Sequence, residues 1–357
     1  MVARISLALA FVSLAGAQSA APPKPAAAPK LASAKAAVTS KPTASTKPIK
    51  VQVNEVIVPV TVTDDKGRFV SNLAANDFRV FDNGKPQQIE FFSRDRNQPV
   101  VIGFLVDLSN HSRIHWKNFQ EAAVDLALNL LPGDKKFSGY LITYSNEPEL
   151  RVNTTTDAEK IVEQLRKLKP GGGSSMCDAI YMACKNRQEV EGEPYDPRRV
   201  IVIIGDGHDD ASKESLDQVI ELAQRNLVTI YGMSTVSYGF TSEGDDNLLR
   251  LASETGGRVV YPLNNLYSDV DGYLSHPADI DGNYALTVGL GAYSSEISAG
   301  IFHAIAAIAG EVTTQYILRY VPDVGSSAKQ FRTIKVTVPD LPTVRIRYRK
   351  GYYPYAP

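Results

Sequence analysis

The chain has 357 residues, enough for two or three domains, and at 43% hydrophobic content it can bury a sizeable core. No unbroken apolar run approaches the ~20 residues of a membrane span, so none is expected. The near-neutral total, 38 basic against 39 acidic residues, hides a split: residues 1–50 hold Arg4, six lysines and no acid, leaving a net −8 on residues 51–357. A body that acidic is a poor phosphate binder, so no nucleic-acid partner is expected. Two cysteines exclude a disulfide scaffold and a multi-cysteine zinc module.

Residues 1–17 read as a signal peptide. Arg4 is the positive start, Leu7 to Ala15 the short apolar stretch, and Ala15-Gly16-Ala17 the small-x-small cleavage pattern. The expected location is exported, periplasmic or secreted. Residues 18–50 are Ala, Pro, Lys, Ser and Thr around a few other residues, with no acid or aromatic ring, and are expected to form a disordered linker. Fully extended in polyproline form it would reach about 100 Å, at about 3.1 Å per residue.

A β-rich stretch follows. Val51 to Val62 predict strands closed by the Asp65-Lys66-Gly67 turn, and Phe78, Val80 and Phe81 another. Asp82-Asn83-Gly84 predicts a tight hairpin turn, with Ile89, Phe91 and Phe92 as the returning strand. After Pro99 strands and helices alternate. Val100–Val106 and Val200–Ile204 are apolar throughout, as for strands buried on both faces of a parallel sheet. Strands at 140–144, 228–233 and 258–261 and helices at 114–130, 158–168, 178–185, 216–225, 248–254 and 297–312 complete the pattern. Residues 266–295 lack periodicity and are expected to be a mobile insertion. Strand signals return at 314–321, 332–338 and 344–348, where Arg345, Arg347 and Arg349 alternate with apolar residues and predict a solvent-facing edge.

The fold class is therefore α/β: a doubly wound, mostly parallel, Rossmann-like sheet over residues 99–312, inserted into a small β-sandwich-like module of residues 51–98 plus 313–357. Neither set of flanking strands is numerous enough to stand alone. Ligands of such a sheet gather at the carboxyl ends of its strands. Two central strands run into Asp107-Leu108-Ser109-Asn110-His111-Ser112 and Gly205-Asp206-Gly207-His208-Asp209-Asp210, and the loop Gly171-Gly172-Gly173-Ser174-Ser175 lies between them in sequence. Carboxylates and hydroxyls together suit a hard divalent cation.

Gly172-Gly173-Ser174 with Asp178-Ala179-Ile180, Asp206-Gly207 and Asp107-x-Ser109 resemble the metal-ion-dependent adhesion site of von Willebrand factor type A domains. Val62-x-Asp64-x-Lys66-Gly67, Asp82-Asn83-Gly84-Lys85-Pro86-Gln87, Gln315-Tyr316-Ile317-Leu318-x-Tyr320 and Arg349-Lys350-Gly351-Tyr352-Tyr353 resemble the exported bacterial VWFA-related, Acidobacteria-type family. The resemblance implies a non-enzymatic adhesion module that captures a protein or peptide partner by an acidic group. The implied metal residues are Asp107, Ser109, His111, Ser174 and Asp206, with Ser112 and His208 at the edge. His111 stands where the family carries its second serine. Imidazole favours softer ions, so the expected cofactor is Mg²⁺ or Mn²⁺, with Zn²⁺ or Ni²⁺ admitted by His111.

Two further classes stay open: a structural envelope protein whose site has lost its metal, and a metal-dependent hydrolase. The chain shows no Gly-x-Ser-x-Gly elbow for the latter. Cys177 and Cys184, about 10.5 Å apart along one predicted helix, are too distant for a disulfide and are expected in the core.

Overall fold

Alternating valines from Val56 give strand β1 (Val56–Thr63), buried along nearly its whole length. A two-residue turn follows β2 (Arg79–Asp82), with Asn83 at φ 47° and Gly84 at φ 78°. Positive φ at both central positions is what a tight hairpin turn requires, and asparagine and glycine adopt it most cheaply. The computed structural model describes residues 55–94, 99–113, 115–185, 194, 197–236, 243–263, 290–322 and 330–354, with backbone alone for 290–296. The expected signal peptide and linker, and residues 266–289 of the expected insertion, lie outside these.

The hairpin's return differs from expectation. Asp82 pairs with Lys85, so the returning strand is β3 (Lys85–Gln87), and β4 (Phe91–Ser93) joins the other sheet. A two-residue turn starts the partner strand at once, which leaves Phe92 free to pack elsewhere. Its ring lies 5.8 Å from both Phe78 and Tyr316.

The α/β layer follows in chain order. Its strands are β5 (Val100–Asp107), β6 (Phe137–Tyr144), β7 (Pro148–Thr155), β8 (Arg198–Gly205), β9 (Thr229–Ser234) and β10 (Val259–Val260). They stand in the order β10-β9-β8-β5-β6-β7, all parallel but β7. No sequence signal marks β7: it is an edge strand with no buried residue, and half of its residues, Leu150 among them, are exposed, so no face had to be apolar. The helices are α1 (Trp116–Leu130), α2 (Ala158–Leu165), α3 (Met176–Cys184), α4 (Leu216–Arg225), α5 (Glu243–Thr255) and α6 (Leu290–Thr314). Ile102, Phe104 and Val106 of β5 pack with α1, α2 and α6, whereas Val101 and Leu105 pack with α3, α4 and α5. Both faces of β5 are thus covered, which is why its sequence shows no alternation.

Helix α6 begins at Leu290, so residues 290–295 of the expected insertion are helical. Its stripe Ile297, Ile301, Ile305, Ile308 and Val312 is buried in the core. The expectation of no spanning run is amended here: Ile297–Thr314 is long and apolar enough to cross a membrane, although 44% of it is buried inside the fold.

The chain then forms β11 (Tyr316–Tyr320), β12 (Arg332–Thr337), β13 (Arg345–Arg347) and β14 (Gly351–Tyr352). β11, β12 and β13 pair with strands from before the α/β layer and β14 pairs with β12, giving antiparallel sheets β13-β1-β11-β4 and β14-β12-β2-β3. Val58, Val60, Phe78, Val80, Leu318, Tyr320, Ile334 and Val336 form the core between them.

The arginine edge is corrected too. Arg347 pairs with Glu311 of α6, which is fully buried and also takes Arg258 at 2.8 Å. Arg349 is 2% exposed and donates to the Leu227 carbonyl at 3.0 Å. Arg345 is exposed as expected, whereas Arg347 and Arg349 pack against α6 and the α4–β9 connection. Burial pushes the Glu311 carboxyl up, against the opposing pull of Arg258 and Arg347. Nearby, Gln315 accepts from Arg198 at 2.9 Å and donates to Thr61 and Tyr231 at 3.1 and 2.9 Å.

Candidate metal site

Strands β5 and β8 are parallel neighbours, with Val106 opposite Ile204. Asp107 closes the first and Asp206 follows the second, so the register alone brings both carboxylates to one edge of the sheet. Asp107 is 2% exposed. Its Oδ1 accepts the Ser109 N–H at 2.7 Å and its Oδ2 the Ser109 hydroxyl at 3.1 Å. Burial pushes its carboxyl up to about 6; the Ser109 N–H opposes this and the negative charge of Asp206 adds to it.

The other loops close round these two. Asn110 N–H donates to the Gly172 carbonyl at 3.0 Å, and Gly171 N–H to Leu108 at 2.5 Å, joining the loop after β5 to the glycine loop. Ser174 is buried; its N–H donates to Asp210 Oδ1 and its hydroxyl to the His208 carbonyl, both at 2.6 Å. Asp178 Oδ1 accepts the N–H groups of Lys213 and Glu214 at 3.0 and 2.9 Å, and Asp209 Oδ2 accepts those of Cys177 and the Ser212 hydroxyl at 2.7 and 2.8 Å. These carboxylates hold the segment 206–214 against the start of α3. Asn146 does the same for Gly173, accepting its N–H at 2.7 Å. Sequence reading missed Asn146, Asp209 and Asp210; the acidic run 206–210 was visible, but which members face inward was not.

The two histidines sit at the rim. His111, its side chain 50% exposed, donates from Nδ1 to Asp206 Oδ2 at 3.2 Å. His208 donates its backbone N–H to Asp206 Oδ1 at 2.9 Å, and its ring centroid lies 4.6 Å from that of His111. Ser112 is 6% exposed, and its hydroxyl lies close enough to the Asp107 carboxyl to help hold that group down. The buried Tyr144 hydroxyl is unpartnered among the described residues, and burial holds it well above the usual phenol range.

The structure thus brings Asp107, Ser109, Ser174 and Asp206 into one loop cluster with Ser112 buried in it, and leaves His111 exposed and His208 half-buried at its rim. Among the described residues no three His, Cys, Asp or Glu side chains group closely enough to hold an ion alone, so an ion here needs hydroxyl ligands as well. The donor set fits one. Two mutually repelling carboxylates, one of them deeply buried, stand with the buried hydroxyls of Ser109, Ser112 and Ser174, and a small divalent cation would relieve the repulsion and take oxygen ligands from the same set. Cys177 and Cys184 are both buried in the core, as expected.

Residues 102–269 match the von Willebrand factor type A domain family. No curated protein matches the chain. Solved structures similar to it include an aerotolerance-related membrane protein from Bacteroides fragilis, at 17% identity over 45% of this chain and 90% of that one, TM-score 0.36. BatB from Bacteroides thetaiotaomicron is similar at 16% identity over 45% and 89%, TM-score 0.35. Proximal thread matrix protein 1 of the mussel byssus, with a zinc-occupied MIDAS motif, is similar at 16% identity over 48% and 43%, TM-score 0.38. With the family match, the parallel strands separated by helices and the aspartates at their carboxyl ends, residues 102–269 of this chain are a von Willebrand factor type A domain.

Proposed function

We propose that the protein is an exported, non-enzymatic binding module that captures a protein or peptide partner through a divalent cation. Domains of this type are generally interaction modules without catalysis, and the acidic body and the absence of a nucleophile elbow in the sequence agree. Asp107, Ser109, Ser174 and Asp206 would hold the ion. Ser112, one residue beyond the family position, would supply the second hydroxyl in place of His111, which is engaged with Asp206. The ion would supply a positive centre for a partner's carboxylate. The protein's own residues orient that centre, and Asp107 and Asp206 give it charge.

The observation that carries this reading is the buried Asp107 carboxyl, pushed up to about 6 by burial and by the Asp206 charge, with the Ser109 and Ser112 hydroxyls beside it in the loop cluster. Export rests on Arg4, the apolar stretch 7–15 and Ala15-Gly16-Ala17. The pairings β1–β11, β1–β13 and β2–β12 support treating residues 51–98 and 313–357 as one module interrupted by residues 99–312.

One observation favours a metal-free structural role instead: the His111 imidazole already donates to Asp206 where the cation would act. Metal analysis of the purified chain, then capture of partners from envelope extract with and without chelator, separates the two. Binding that needs an ion and fails with Asp107→Asn supports the proposal. Capture indifferent to chelator and to that substitution overturns it.

A further inference from the structure

We infer that His111 and His208 form a second metal site, a two-imidazole site for a borderline-soft ion such as Zn²⁺, Ni²⁺ or Cu²⁺, outside the carboxylate–hydroxyl cluster. Both side chains are accessible, at 50% and 34% exposure, and they come from the loops that follow β5 and β8. Their ring centroids are 4.6 Å apart with the planes tilted by 51°. Two imidazoles that bind one ion at about 2.05 Å have centroids about 4.5 Å apart at a cis angle near 90°, as on Ni²⁺ or Cu²⁺, and about 5.2 Å apart at the tetrahedral angle of Zn²⁺. The observed spacing fits the first, and a shift of about 0.6 Å between the rings gives the second.

Each ring also has a carboxylate behind it. Asp206 accepts from Nδ1 of His111 at 3.2 Å, and Asp210 Oδ2 lies 3.8 Å from Nε2 of His208. A carboxylate on one ring nitrogen fixes the tautomer and makes the other nitrogen the better donor. For His111 this leaves Nε2 to meet an ion, whereas the His208–Asp210 separation is too long for a hydrogen bond and leaves either nitrogen of His208 open. Asp210 is itself anchored, since its Oδ1 accepts the Ser174 N–H at 2.6 Å, so the negative charge beside His208 is held by the loop. Imidazole nitrogen donors select zinc, nickel and copper over magnesium and calcium. Two protein ligands leave the other coordination positions open to water or to a partner's donor.

The test uses the full chain without a histidine tag. Zinc titration by calorimetry, alone and in saturating Mg²⁺, is compared among wild type, His111→Ala and His208→Ala, and electron paramagnetic resonance of the Cu²⁺-loaded protein counts coordinating nitrogens. The expected result is one zinc per chain, weakened at least tenfold by either substitution, retained in saturating Mg²⁺, with two nitrogens on copper in wild type and one in each variant. Zinc binding unchanged in His208→Ala overturns the inference, because the ion would then rest on His111 with other donors such as His115. Zinc displaced one for one by Mg²⁺ overturns it too, since both ions would share the oxygen cluster. A single nitrogen on copper in wild type does so independently of any variant.

Discussion

Replacing Asp82 tests whether the strands on either side of the type A domain fold as one unit. Asp82 lies on β2 with no exposed surface. Its Oδ1 accepts Arg332 Nε at 2.8 Å, and its Oδ2 accepts the hydroxyls of Tyr320 and Tyr352 at 3.0 and 2.8 Å. Those partners come from β12, β11 and β14, roughly 250 residues on. Burial pushes both phenols up, so they remain neutral donors. Asp82→Ala leaves Arg332, 8% exposed, buried without its counter-ion, which costs about 3–5 kcal/mol, and orphans two phenols besides. These terms belong to one network and do not add, so a loss of about 4 kcal/mol is expected, a large part of the 5–15 typical of a domain. Asp82→Asn keeps an acceptor of the same shape and should lose about 2 kcal/mol, one charge-assisted hydrogen bond. Urea unfolding followed by circular dichroism gives both values from the midpoint at constant slope. A loss below about 1 kcal/mol for Asp82→Ala would refute the reasoning, because the network would then carry no cross-module stability.

Four other outcomes are expected. A chain ending at Gly310 should leave residues 55–94 open to protease, since β1, β2 and β4 lose β11, β12 and β13; a resistant fragment would show an independent module. Gly207→Ala should destabilise by about 2–4 kcal/mol in thermal unfolding, because φ is +81° and a Cβ there would meet the Gly244 carbonyl oxygen at 2.1 Å. Asp107 makes chelated protein less stable as pH rises from about 4 to about 6. Its folded carboxyl titrates near 6 while the unfolded one does so near its usual 3.8, so the native state holds the extra proton in that window. The contribution is about 3 kcal/mol across it, read as the difference between wild type and Asp107→Asn in pH-dependent melts. A cation must displace that same proton, so Mg²⁺ or Mn²⁺ affinity should fall about tenfold per unit below pH 6, and calorimetry at pH 5 and 7 showing equal affinity would exclude Asp107 as a ligand.

What the sequence determined by itself is what nearest neighbours encode. Val100–Val106 and Val200–Ile204 are apolar at every position because both faces are covered, and that texture survives in any window that contains them. Asn83-Gly84 specifies its turn through the φ values those two residues tolerate. The aspartates after β5 and β8 were legible as site candidates because parallel strands in one sheet end on the same side. Tertiary structure decided the rest, through pairings between residues far apart in the chain. Strand β7 is held by its ladder to β6 and buries almost no apolar face, so nothing in its side chains announced it. Arg347 and Arg349 follow a solvent-edge pattern, yet α6 and Leu227 cover them. His111 occupies the position of a metal-binding serine, but where its ring points depends on Asp206 and His208, nearly a hundred residues away. A side chain's period is set locally, whereas its burial and its partner are set by whatever packs across from it.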